Sequence, residues 1–235
     1  MTKALIASTS SLFGEDYLSY ILPELAGFFQ KQTTILFVPY AQPGGISYQQ
    51  YTTIVATAFS KINKKVIGLH EFDDPITAIQ TAEAVFVGGG NTFLLVATLY
   101  KLNLMAVLRT AVLQGVPYFG TSAGSNIAGQ NMQTTNDMPI VAVPSYTTMG
   151  LLPFNLNPHY LDPDLDSKHN GESRETRINE FHVHNHIPVL GLREGSWLEV
   201  YDQKIVLKGR FSARLFRQNQ MPIEIKTDDN FDFLV

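Results

Sequence analysis

In the N-terminal half of the chain, short runs of consecutive apolar residues alternate with longer segments in which apolar positions recur every three or four residues. Runs of the first kind suit strands buried on both faces, and the alternation is the signature of β-α units feeding a mostly parallel sheet. The runs are residues 4–7, 34–39, 65–69, 84–87 and 116–119. Between them the spacing predicts helices over 17–29, 47–62, 74–82 and 92–114. The third starts with Asp74 as N-cap and Pro75 at the first helical position, and the last breaks near Asn103. After Gly129 the rhythm gives way to a loop-rich region, a charged helix around 172–181, and short strands at 189–192, 197–201 and 204–207. The acidic stretch Asp228-Asp229-Asn230 is expected to be solvated. No repeat, low-complexity segment or linker interrupts the pattern, which predicts one α/β domain over residues 1–235: a three-layer fold with a mostly parallel sheet and helices on both faces.

At 235 residues, 45% hydrophobic and 16% charged, the composition is that of an ordinary soluble globule with a full core. A formal charge of −4 without a basic run argues against a nucleic-acid or anionic-membrane partner. The absence of cysteine excludes disulfides, thiolate metal sites and a cysteine nucleophile. One lysine and a four-residue apolar run near Met1 fall short of a signal-peptide core, and no apolar stretch reaches membrane-spanning length, so a cytoplasmic protein is expected.

Chemistry concentrates at Gly120-Thr121-Ser122-Ala123-Gly124, which follows the last apolar run and precedes small residues suited to a helix. A serine at a strand-turn-helix junction is held in a strained conformation with its hydroxyl clear of the sheet, as in a nucleophile elbow. A tight glycine turn with an idle serine is the plainer alternative. In an open α/β sheet the loop after the fourth run should face the same crevice. That loop is Gly88-Gly89-Gly90-Asn91-Thr92, with Asn91 or Thr92 able to cap the next helix and Asn91 a substrate-binding candidate. Phe93 breaks a dinucleotide fingerprint and no P-loop lysine follows, so no nucleotide cofactor is expected. The backbone N–H groups of Gly89 or Gly90 and of Ala123 suit an oxyanion hole better.

Six histidines compete to serve Ser122 as base. His159, stiffened by Pro158, suits a fixed imidazole near the crevice. His182, His184 and His186 would share one face if residues 181–187 were extended, but no carboxylate or cysteine completes a metal site, and exposed histidines leading into a strand are expected. His70 and His169 carry no pattern. Asp137 and Glu194 are alternative carboxylates for orienting the imidazole.

Taken together, these segments resemble the α-aspartyl dipeptidases of the peptidase E family, a serine-peptidase family that also contains cyanophycinases. The matching stretches are residues 87–93, Ser122-Ala123-Gly124 with Asn126, residues 134–140, Asn157-Pro158-His159, Gly171-Glu172 with Arg174 and Arg177, and Gly191-Leu192 with Glu194, Gly195 and Trp197. They run in family order across nearly the whole chain. Thr121, Ser125 and Arg193 depart from the pattern, which has Trp, a smaller residue and Pro there. The resemblance implies a class I glutamine-amidotransferase-like (flavodoxin-like) fold and a cytoplasmic enzyme that cleaves dipeptides with N-terminal aspartate, without metal or cofactor. It also implies Ser122 as nucleophile, His159 as base, and either Asp137 or Glu194 as third member. Recognising an N-terminal aspartate requires a cation for its β-carboxylate, for which Arg174 and Arg177 are candidates, and an acceptor for its ammonium. If Glu194 orients His159, Asp137 is free for that second task. A cyanophycinase-like hydrolase of aspartyl polymers and an idle binding module of the same fold are the rival expectations.

Overall fold

In the computed structural model, which describes residues 1–163 and 171–234, the five apolar runs form parallel strands: β1 (Lys3–Ala7), β2 (Thr34–Val38), β3 (Lys65–Gly68), β4 (Val85–Val87) and β5 (Tyr118–Thr121). His169 lies outside the described residues. Antiparallel β8 (Ser196–Tyr201) and β9 (Lys204–Gly209) complete a seven-stranded sheet of order β3-β2-β4-β5-β1-β8-β9. Its parallel strands read as near-continuous apolar runs because both faces are covered. In β1, Ala4 and Ile6 join one core while Leu5 and Ala7 join the other.

Helices α1 (Leu22–Phe28) and α2 (Tyr48–Ser60) cover the second of these faces, where Phe37, Phe59, Phe86 and Phe119 are fully buried and Phe86 stacks on Phe119 at 4.5 Å between centroids. Burying each such ring contributes about 1.5–3 kcal/mol. The first face is covered by α3 (Pro75–Gln80), α4 (Thr92–Lys101), α5 (Met105–Leu113) and the one-turn α6 (Ala123–Asn126). A four-stranded sheet of order β11-β10-β7-β6 shares that core; its strands are β6 (Asn155–Pro158), β7 (Val189–Leu192), β10 (Ala213–Phe216) and β11 (Ile223–Ile225). Ile178 and Phe181 of α7 (Arg174–His184) pack against Tyr160, Val189 and Phe216 beside this second sheet. The result is the expected three-layer α/β arrangement, with a second sheet that was not anticipated. Among the described residues no single helix is long and apolar enough to cross a membrane.

Local chemistry explains most boundaries. Asp74 caps α3 by accepting from Ile76 N–H and Thr77 N–H, both at 3.1 Å, and α4 and α5 are separated at Asn103, whose φ is +58°. Other expectations shift. The first helix begins only at Leu22, because Leu18 takes φ +59° and residues 17–21 form turns. β5 starts two residues late, at Tyr118, since Val116 N–H closes α5 on Ala111 O at 3.0 Å. The acidic stretch 228–230 is not a free solvated segment. Its side chains are exposed, but Asp228 N–H donates to Leu207 O at 2.7 Å and Phe231 N–H to Ile205 O at 3.1 Å, laying the backbone along β9.

Candidate active site

The sharp turn between β5 and α6 follows from close packing. A Cβ on Gly124 would lie 2.1 Å from Val87 O, so only glycine lets α6 settle against β4. Ser122, pinned between the strand and that helix, takes φ +52° and ψ −108°, a conformation that side-chain-bearing residues rarely tolerate. Its N–H donates to Ala7 O at 3.3 Å, and Ser125 Oγ donates to the same carbonyl at 2.6 Å. Ser122 is left partly exposed.

His159 follows β6 and also takes a left-handed backbone, φ +55°. Its Nε2 lies 2.9 Å from Ser122 Oγ and its Nδ1 2.5 Å from Glu194 Oε1, so serine, imidazole and carboxylate stand in line. With the Nδ1 proton donated to the carboxylate, Nε2 presents its lone pair to the hydroxyl, the tautomer a general base needs. The His159 and Glu194 side chains are 38% and 42% exposed, which leaves the pair open to substrate and to water.

Asp137, the other carboxylate candidate, does not touch the imidazole. Its Oδ2 accepts from Thr92 N–H at 2.7 Å and from Thr135 Oγ–H at 3.1 Å, at the positive N-terminus of α4. Asn126 joins this network, donating to Thr92 Oγ at 3.0 Å and Thr135 Oγ at 3.2 Å. Asn91 holds the loop: its Oδ1 caps α4 at Leu94 N–H and its Nδ2 donates to Met138 O.

The glycine loop lies against the serine. A Cβ on Gly89 would sit 3.1 Å from Ser122 Cβ. Gly89 O accepts from Tyr51 O–H and from Gln42 Nε2, each at 3.3 Å, and Asn91 N–H donates to Ala41 O at 2.7 Å. Both peptide planes flanking Gly90 are therefore pinned, and its φ of +137° is one that glycine alone adopts readily. The N–H groups of Gly89, Gly90 and Ala123 donate to none of the described residues.

The two arginines on α7 differ. Arg177 is exposed and pairs with Glu172 at 3.5 Å, whereas Arg174 is half-buried. Burial and the neighbouring Arg177 charge push the Arg174 guanidinium down, while Asp137 pulls it up, which sets Arg174 within electrostatic reach of Asp137. The histidine triplet is not a strand. His182 and His184 end α7, where a spacing of two points them to different faces, and His182 is buried with Nε2 3.0 Å from Ile187 O.

Sequence reasoning missed the supports. Ser8, Gln42 and Tyr51 carry no motif, and each matters through the backbone atoms it holds. Ser125 stood out only as a departure from the family pattern.

Known proteins resemble this chain over nearly its whole length. The sequence pattern of peptidase family S51 matches residues 4–208. A peptidase E of Streptomyces coelicolor is 46% identical over 231 residues, covering 98% of this chain and 94% of its own. A probable alpha-aspartyl dipeptidase of Drosophila melanogaster is 42% identical over 234 residues, covering 98% and 96%. Among solved structures, a peptidase from an acI-B1 actinobacterium superposes with a TM-score of 0.75 at 12% identity, covering 98% of this chain and 96% of that one. A putative peptidase E of Listeria monocytogenes gives 0.67 at 19%, covering 89% and 99%; both are likenesses of fold.

Proposed function

Since the chain belongs to peptidase family S51 and is a serine peptidase, we propose that it hydrolyses dipeptides with an N-terminal aspartate, using Ser122, His159 and Glu194 as its triad. The observation that carries the assignment of roles is the unbroken line from Ser122 Oγ through the imidazole to Glu194 Oε1, with contacts of 2.9 and 2.5 Å.

Ser122 Oγ attacks the aspartyl carbonyl carbon as His159 Nε2 takes its proton, and Glu194 stabilises the imidazolium that forms. The negative charge moves to the carbonyl oxygen. It is met by Ala123 N–H and by the N–H groups of the glycine loop, all free of protein acceptors among the described residues. Pinning Gly89 O by Tyr51 and Gln42 supports this role for Gly90, because a trans peptide points its N–H opposite to its carbonyl. The imidazolium then returns the proton to the leaving amine, the C–N bond breaks, and water activated by His159 cleaves the acyl-enzyme ester.

Specificity is assigned to Arg174 on α7 and to Asp137 at the N-terminus of α4. Arg174 reads the β-carboxylate, and Asp137, whose Oδ1 accepts no hydrogen bond from the described residues, receives the α-ammonium. A neutral Asn side chain would leave the guanidinium without its partner, and a Glu would carry its charge one methylene too far. The test is a panel of Asp-Leu, Asn-Leu, Glu-Leu and Ala-Leu on the wild-type enzyme and on Arg174→Met. Asp-Leu should be the preferred substrate by about two orders of magnitude or more, and the substitution should depress kcat/KM for it far more than for Asn-Leu. Comparable wild-type rates on all four peptides would refute the aspartyl reading.

A further inference from the structure

The C-terminal end of β1 reaches all three members of the triad. Ala7 O accepts from Ser122 N–H at 3.3 Å, as described above. The next residue, Ser8, is fully buried and forms three hydrogen bonds. Its N–H donates to Ser196 O at 3.1 Å, its hydroxyl donates to Leu192 O at 2.7 Å, and its Oγ accepts from His159 N–H at 2.9 Å. Leu192 and Ser196 are the two ends of the turn that carries Glu194, so Ser8 holds both feet of that turn. The bond to His159 N–H holds the residue whose left-handed φ of +55° has no glycine to ease it.

We propose that Ser8 is a positioning residue that fixes the imidazole of His159 against Glu194 and Ser122, an inference that rests on the reading of these three as the triad. Without the hydroxyl, His159 N–H loses its buried acceptor and Leu192 O keeps only Tyr160 N–H at 3.2 Å, so β6 and β7 stay paired at Pro158 and Leu192 but the residues just beyond lose their anchor to β1 and are free to shift. A contact as short as 2.5 Å between side chains from two different loops has little tolerance for that movement. Misplacement by a fraction of an ångström to one ångström costs rate and not affinity, because Ser8 lies behind the triad and away from the substrate.

The experiment compares Ser8→Ala, and Ser8→Cys as a variant of similar volume with a poor donor and acceptor, each made in wild-type and in Glu194→Ala backgrounds. In the wild-type background kcat for Asp-Leu should fall about 10- to 100-fold with KM within about twofold. In the Glu194→Ala background the same change should cost less than about threefold, since the geometry it protects is already gone. Ser8→Thr, which keeps the hydroxyl, should recover most of the lost kcat. A kcat within threefold of wild type for both variants, equal losses in the two backgrounds, or a loss confined to KM would overturn the proposal. Ser122→Ala measured alongside separates the two failures. If it is inactive while Ser8→Ala and Ser8→Cys are normal, only this proposal falls; if it retains full activity, the triad reading falls with it.

Discussion

Replacing Glu194 by glutamine removes one charge and almost no volume, so its effect isolates the electrostatics of the triad. When His159 accepts the Ser122 proton, it becomes a cation whose Nδ1 lies 2.5 Å from Glu194 Oε1. Two unit charges about 4 Å apart at an effective dielectric of about 20 attract by about 4 kcal/mol. The side chains are 38% and 42% exposed, so water screens part of this, leaving about 2–3 kcal/mol of transition-state stabilisation. That alone is about 30- to 150-fold in rate. The new amide can also donate to Nδ1, which favours the tautomer with its proton on Nε2, facing Ser122 in the wrong sense. Together these predict a fall in kcat/KM of about 100- to 1,000-fold for Glu194→Gln, mostly in kcat. The assay is steady-state hydrolysis of Asp-Leu followed by leucine release, with circular dichroism to check the fold. Asp137→Asn is the control, and it should act chiefly through KM. A Glu194→Gln enzyme within threefold of wild type, or an Asp137→Asn enzyme crippled in kcat alone, would refute the assignment of the orienting carboxylate.

Two further predictions concern the scaffold. Gly124→Ala puts a methyl 2.1 Å from Val87 O, a backbone atom that cannot turn aside; it should destabilise the protein by about 1–3 kcal/mol and lower activity, measurable as a shifted thermal midpoint. Arg193 binds Asp162 at 2.6 and 2.8 Å and Glu224 at 2.9 and 3.1 Å. It holds the Asp162 carboxyl below its usual range; for Glu224 burial is the largest influence and raises it, but the bonds from Arg193 and Ser212 and the Arg193 and Arg214 charges together hold it below its usual value. Carboxyl groups lowered in this way contribute stability that is full above their unfolded values, about 4, and is lost as pH falls through their folded ones. The stability gap between wild type and Arg193→Met, read from urea midpoints, should thus be widest above pH about 5 and narrow toward pH about 2. A gap independent of pH would show that the ion pairs contribute nothing.

Much of the main sheet was legible because strands buried on both faces have an unmistakable pattern, and the alternating helices then dictate parallel pairing. β6 was not, because its sequence, Asn155-Leu156-Asn157-Pro158, has no β-branched residue. Its buried asparagines are satisfied by distant partners, with Asn155 bonded to Asn131, and Asn157 to Asn136 and Thr134 O, and such bonds leave no local signal. Ser122 and His159 stood out because their conformations need particular neighbours: small residues around the one, a proline before the other. The choice between Asp137 and Glu194 could not be made from motifs, since both stand beside turns, and it depends on which turn the fold brings against His159. Ser8 was invisible for a simpler reason: a serine after an apolar run is common, and only its three partners distinguish it.

The strip of backbone from Asp228 to Phe231 has a consequence for handling the protein in bulk. β9 ends the large sheet, and a bare terminal strand offers its N–H and C=O groups to any other chain in reach. Here the bonds from Asp228 and Phe231, and the bridge between Val206 and Asn230, occupy those groups, while the Phe231 ring is buried against Phe154. The segment acts as a selvedge, a finished border that keeps the sheet from growing. Trimming it, or pulling it away with a fusion, would leave a sticky edge and an unfilled aromatic socket, so aggregation would set in before any loss at Ser122 could be measured.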